Sequence, residues 1–283
     1  MGRLDKSELI FKIIAYTLTT MFAICCVYPL IYAVSGALSG IDALNNGKVI
    51  LFPVDTNMAA FDHVFRDTGF WTAYLYTIFL TLYGTIYSMF VSITGAYALS
   101  KDKLIGKRTW NFLLVFTMWF SAGMIPQFLN YKALNVDNRW GIVICLGMNA
   151  FNMILLRNYF STIPKEIEEA AIVDGANEFQ ILTKIYMPMS KSSIATVTLF
   201  YALSRWNGYF WAKLLLEKPG EWPLQVYMRN QYDNLNSGDA IGGYHPDAAL
   251  YAMIVCSILP IICVYPMLQK YFAKGVNVGG VKE

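Results

Sequence analysis

A chain of 283 residues that is 56% hydrophobic and only 14% charged, at a mean hydropathy of +0.42, carries more apolar surface than one water-soluble core can bury. The excess has to face lipid, so the composition points to an all-α integral membrane protein and excludes a soluble domain. A net charge of +3 without a basic run offers nothing to nucleic acid.

In chain order, Arg3 and Lys6 precede an apolar run at residues 13–34. That run is too long for the hydrophobic part of a signal peptide, so it is expected to be a retained first span. A second span is expected at 75–99, inside an uncharged stretch from Phe70 to Ser100. Further apolar segments lie at 110–131, 140–160, 192–212 and 248–270. Each has the roughly 17–25 residues that a helix needs to cross the hydrocarbon. Together they predict one transmembrane domain over residues 1–283 with six helices. With both termini inside, fourteen Lys and Arg fall in inner segments and seven in outer loops, the bias expected of a cytoplasmic face. The outer loops at 40–69 and 214–247 are long and turn-rich, which suits docking of a partner.

No span contains an Asp or Glu, and both histidines, His63 and His245, fall in outer loops. An intramembrane enzyme or an ion-coupled secondary transporter needs ionisable groups at depth, so both readings lack their residues. Cys25, Cys26, Cys145, Cys256 and Cys263 sit in apolar runs without zinc spacing and read as packing residues.

The fifth span holds the sequence RWNGYFW, Arg205 to Trp211. Arginine facing lipid costs at least roughly 2.5 kcal/mol, so Arg205 should face a partner, a cavity or the outer headgroups. On a continuous helix Trp206 and Tyr209 share one face, and Asn207 and Trp211 another. Two readings stand: these five side chains line a path through the membrane, offering ring faces and hydrogen-bonding groups, or the aromatics are an interfacial belt.

Between the fourth and fifth spans, residues 161–188 are dense in charge. Pro164 suits the first turn of a helix, and Glu166, Glu168 and Glu169 favour its positive end. Ile167, Ala170, Ala171 and Asp174 share one mostly small face. Gly175 breaks the helix through positive φ, and a second short helix is expected from Asn177, ending before Pro188. Such a projecting pair suits a groove on a soluble partner.

Glu169-Ala170-Ala171, three residues, Gly175, nine residues, Ile185, one residue, then Met187-Pro188 resembles the EAA loop of binding-protein-dependent ABC importers. Met187 stands where that family usually has Leu. Ile163-Pro164, Asp174 to Ala176, LSK at Leu99 to Lys101, FSAGMIPQF at Phe120 to Phe128 and the Gly- and Lys-containing tail from Tyr271 are similar to the carbohydrate branch, in its complex-oligosaccharide permease group.

The resemblance implies a type I ABC importer permease, similar to the smaller maltose permease subunit, in a bacterial cytoplasmic membrane. It implies a second homologous permease subunit, two ATPase subunits, an extracellular substrate-binding protein, an oligosaccharide substrate and surrounding membrane lipid. Residues 164–175 would be the coupling helix, with Glu169, Ala170, Ala171, Asp174, Gly175 and Ala176 meeting the ATPase. This chain would hold no cofactor and do no covalent chemistry; ATP and Mg would be bound by the partner ATPase. The segment 236–247 would reach the binding protein, and the tail with Lys270, Lys274 and Lys282 the ATPase pair. A permease of the same kind for a polyol phosphate or polyamine is the alternative.

Overall fold

The computed structural model describes residues 6–235 and 245–275, and among these every regular element is helical. α1 (Lys6–Ala37) has 32 residues, longer at about 1.5 Å per residue than the roughly 30 Å of hydrocarbon in a bilayer. Two short helices, α2 (Ile41–Asn45) and α3 (Ala59–Arg66), lead to α4 (Thr68–Ser100). Two broken pairs follow: α5 (Lys107–Trp119) with α6 (Met124–Ala133), bent by 117°, and α7 (Arg139–Cys145) with α8 (Ala150–Phe160), bent by 49°. α9 (Lys165–Val173), α10 (Glu178–Ile181) and α11 (Met187–Met189) form the charged stretch, with a π-helical turn at Leu182–Tyr186 between the last two. α12 (Lys191–Trp206), α13 (Phe210–Leu215), α14 (Leu224–Leu235) and α15 (Pro246–Gly275) complete the described chain. Most of the segment expected to reach a binding protein, and Gly279, Gly280 and Lys282 of the tail, lie outside the described residues.

Among the described residues, α1, α4 and Pro246–Val264 within α15 are each long and apolar enough to cross a membrane, and counting each bent pair as one span gives up to five. The third and fourth segments are thus broken rather than straight, and the fifth stops at Trp206 and restarts at Phe210. Between α7 and α8, Gly147 lies against Tyr87, 2.3 Å from where a β-carbon would stand, so a larger residue would push this segment away from α4. Asn138 and Asn149 start the two halves by accepting backbone N–H bonds from Gly141 and Asn152.

The chain groups into two compact units. One comprises residues 1–71 and 228–259. Within it, Tyr32 meets Tyr251 edge to face at 5.5 Å, the Ser35 hydroxyl donates to the Leu51 carbonyl, and Ala37, Ala60, Ala249 and Ala252 are buried. Small residues at these positions let helix backbones approach.

The other unit comprises residues 72–227 and 260–283. One of its cores joins Ile93, Ala96 and Tyr97 of α4 to Leu156 and Phe160 of α8, Ile181 of α10, and Val197 and Tyr201 of α12. Tyr201 ties three elements by its hydroxyl, bonding Ser92 at 2.6 Å and accepting the Asn149 N–H at 3.1 Å. A second core packs Leu80, Ile142, Val143, Leu215 and Val226.

Candidate coupling surface and cavity

α9 begins after Pro164, whose extended ψ of 133° leaves it just outside the helix, and Glu166 and Glu168 occupy its first turn. It ends in a two-bond glycine cap: Gly175, at φ +83°, donates to the Ile172 carbonyl and Ala176 to that of Ala171. Asn177 and Gln180 then form a reciprocal capping box that starts α10. The second helix does not end before Pro188. A π turn closes with the Met187 N–H on the Leu182 carbonyl, and the helix continues through the proline to Met189. The wider turn shifts the register just where Pro188 brings no donor.

Glu169, Ala170, Asp174 and Gly175 are exposed, whereas Ala171 and Ala176 pack partly into the core beneath. The small-residue face is therefore split between a surface open to a partner and a seam with the chain's own helices. Two large apolar side chains flank Gly175 in solvent: Val173 is 86% exposed and Phe179 74%.

Beneath this surface lies a cluster that no sequence motif announces. The Lys101 ammonium, just past α4, pairs with Glu168 at 2.6 Å and lies 3.8 Å from Glu178. It also sits over the rings of Tyr97 and Tyr186, at 4.2 and 4.5 Å. Tyr186 donates to Glu168 at 2.5 Å, and Tyr97 donates to Glu178. Burial would raise the Glu168 carboxyl, but the bonds from Lys101 and Tyr186 and the charges of Lys101 and Lys103 outweigh it and hold the group below its ordinary value. Burial, then the bond to Glu168, pushes the Tyr186 phenol up. Asp102, bonded by Lys165 and Lys107, is pulled down to about 2. The LSK motif contained Lys101, but nothing in residue spacing shows that residues 97–101, 168 and 178–186 converge.

The second candidate region is a cavity of about 850 Å³. Asn207, Tyr209 and Trp211 line it, with Gln127, Tyr131, Asn149 and Asn152 from other elements, and Arg205 reaches its edge. Among the described residues, no Asp, Glu, Lys or His lines it. Trp206 is not among them either: it is buried and packs edge to face on Tyr74 at 5.8 Å. The face pairing expected of an unbroken helix does not form, because α12 stops at Trp206 with Asn207 as its cap. Tyr131 and Trp211 instead meet edge to face at 5.3 Å, and Gln127 donates to the Tyr131 hydroxyl.

Arg205 is 4% exposed. Its guanidinium donates to the carbonyls of Ile142, Val143 and Leu146 and to the Ser88 hydroxyl. Those carbonyls lie at the end of α7; the Leu146 N–H already reaches that of Ile142, and the arginine supplies a further donor to all three.

Residues 68–278 match the family described as the binding-protein-dependent transport system inner membrane component. The chain belongs to this family. It is therefore a multi-pass membrane protein of the permease type rather than an enzyme domain. It is similar to a polygalacturonan/rhamnogalacturonan transport system permease protein of Bacillus subtilis (strain 168), at 38% identity over 96% of this chain and 98% of that one. An arabinooligosaccharides transport system permease protein of Halalkalibacterium halodurans is 27% identical over 95% and 97%. The fold is shared with a chain in the crystal structure of a bacterial ABC transporter involved in the import of the acidic polysaccharide alginate. That chain is 46% identical, with a TM-score of 0.90, and the match covers 96% of this chain and 100% of that one.

Proposed function

We propose that this chain is one of two permease subunits of an ATP-driven importer and forms part of the membrane path for an oligosaccharide handed over by an extracellular binding protein. The family is binding-protein-dependent by its description, and the similar proteins just named are carbohydrate transporters, which favours sugar over a polyol phosphate or polyamine. Residues 161–188 face the cytoplasm with both termini, as the lysine and arginine bias supports. ATP and Mg are bound and ATP is hydrolysed in two partner subunits, onto which the helix pair docks.

The observation that carries this reading is the exposed pair Val173 and Phe179 on either side of Gly175. Large apolar side chains held in water at the tip of an otherwise charged projection mark a contact surface. Glu169, Ala170 and Asp174 complete the surface. The cavity supplies the other half of the function. Its volume falls in the range of about 300–1,000 Å³ typical of ligand sites. Its amide, hydroxyl and aromatic lining suits sugar hydroxyls and ring faces. Having no carboxylate, it does not repel an acidic sugar.

The experiment is uptake of neutral and acidic oligosaccharides into vesicles holding the complete transporter, with its binding protein and ATP. Asn207→Ala and Trp211→Ala are expected to slow uptake or change its sugar preference, while binding-protein affinity stays fixed. Wild-type rates and preference in both variants would move the path out of this cavity.

A further inference from the structure

The five-residue cluster around Lys101 has a layout that packing alone does not require. Its members come from three separate stretches. Tyr97 and Lys101 belong to the end of α4, Glu168 to α9, and Glu178 and Tyr186 to the helix after Gly175. Each arm of the projecting pair thus sends a carboxylate to the same ammonium, and the second arm adds a ring. The ammonium is shielded: the side chains of Lys101 and Glu168 are 15% and 19% exposed, against 70% for Glu178. Tyr97 and Tyr186 meet edge to face at 5.0 Å, and Phe160 of α8 closes the far side of Tyr186 at 5.6 Å.

We propose that Lys101 is a positioning residue for coupling: it fastens both arms of the helix pair to α4, so that a push on the exposed tip moves the span instead of bending the pair. This rests on the docking role proposed above for the tip. The mechanical reason lies in the two weak points of the projection. The backbone turns at Ser161 to Pro164, before α9, and again at Gly175, where no neighbouring side chain restrains it. Apolar contacts already seat part of the projection, with Ile181 and Leu182 of the second arm buried in the core and Ala171 of the first packed against it. A single cation shared by Glu168 and Glu178 adds a polar tie to this packing, because moving either arm alone opens an ion pair and lifts a ring or carboxylate off the ammonium. Cation–π contacts add to the hold, and partial burial keeps it from the full screening of water. A second strap runs beside it, with Asp102 bonded by both Lys107 and Lys165. That strap is more exposed and so contributes less.

The quantity that separates positioning from mere stability is sugar transported per ATP hydrolysed, measured with the full complex in vesicles. Lys101→Met keeps length and apolar stem but removes the charge. Glu168→Gln keeps shape and removes the opposite charge. Both are expected to lower the transport-to-hydrolysis ratio by about tenfold, given what losing one partner of a shielded pair costs. Lys101→Arg, which keeps the cation, is expected to restore most of the ratio. Should Lys101→Met fail to assemble, Glu168→Gln and Lys101→Arg decide between the two roles. A wild-type ratio in an assembled neutral variant overturns the proposal. Failure of the docking reading gives a different result: Val173→Ser with Phe179→Ser would then leave assembly with the ATPase intact, whatever the Lys101 variants do.

Discussion

The Arg205 guanidinium stands 3.0 Å from the Ser88 hydroxyl, so the charge in the last turn of α12 is turned toward α4 and not toward lipid. Its remaining bonds go to carbonyls at the end of α7. One side chain therefore joins three elements and offsets part of the cost of the break at Gly147. Gly84 of α4 permits this: a β-carbon there would come within 3.0 Å of the Arg205 Nε. The charge that composition marked as anomalous in a span is at once a structural pin and part of the cavity's edge.

Arg205→Ala is expected to destabilise the purified complex by about 2 kcal/mol, since it strands several buried carbonyls while interhelical bonds in membranes are individually modest. Ser88→Ala removes one bond of several and should cost well under half of that. Thermal unfolding of the detergent-purified complex checks both. Equal effects of the two changes would mean that the Ser88 bond, and not the carbonyls, carries the role.

Gly175→Val tests the projecting tip. At φ +83° a β-branched residue is strained by about 1 kcal/mol or more, yet among the described residues beyond its two chain neighbours no atom lies within 4 Å of the added β-carbon. The chain should thus still insert and assemble its own core. Stimulation of ATP hydrolysis by the loaded binding protein is expected to fall sharply, with sugar affinity of that protein unchanged. Gly175→Asn, which tolerates the left-handed region better, should retain more stimulation than the valine variant. Full stimulation in Gly175→Val would remove this turn from the docking surface.

Much of this architecture was legible because it depends on local pattern. Apolar runs marked the long helices α1, α4 and α15, Gly175 gave the turn after α9, and the EAA-like spacing gave the family. Straightness was not legible. Span-length reasoning contains neither the close approach of Gly147 to Tyr87 beside the first break nor the cap at Asn207 that marks the second. Arg205 was flagged by cost alone, which says that a buried charge needs partners but not that backbone carbonyls are the partners. Trp206 was grouped with Tyr209 by helical spacing, a rule that lapses once the helix ends between them. The Lys101 cluster was hidden for a different reason. Each member has an ordinary local explanation: Lys101 as an inner-loop charge, Glu168 as a helix-dipole carboxylate, Tyr186 as an interfacial ring. Only their convergence is informative, and convergence is tertiary.

The acid response of Glu168 decides which of two opposed influences governs that cluster. Burial raises its carboxyl, while Lys101 and Tyr186 lower it, and the net direction is down. A carboxyl held below its unfolded value of about 4.3 stabilises the fold fully above that pH and loses the contribution as pH falls through the lowered value. Glutamine does not titrate, so the gap in unfolding temperature between wild type and Glu168→Gln reports the charge. That gap is expected to stay constant from about pH 8 to about pH 5 and to close only below about pH 4. Were burial dominant, the sign would reverse: the carboxyl would already take up a proton in weakly acidic solution, and the gap would shrink between about pH 7 and about pH 5.5. A gap that narrows in that range would show that Lys101 does not hold Glu168 as an ion pair, and the shared cation could not then tie the two arms of the helix pair to α4.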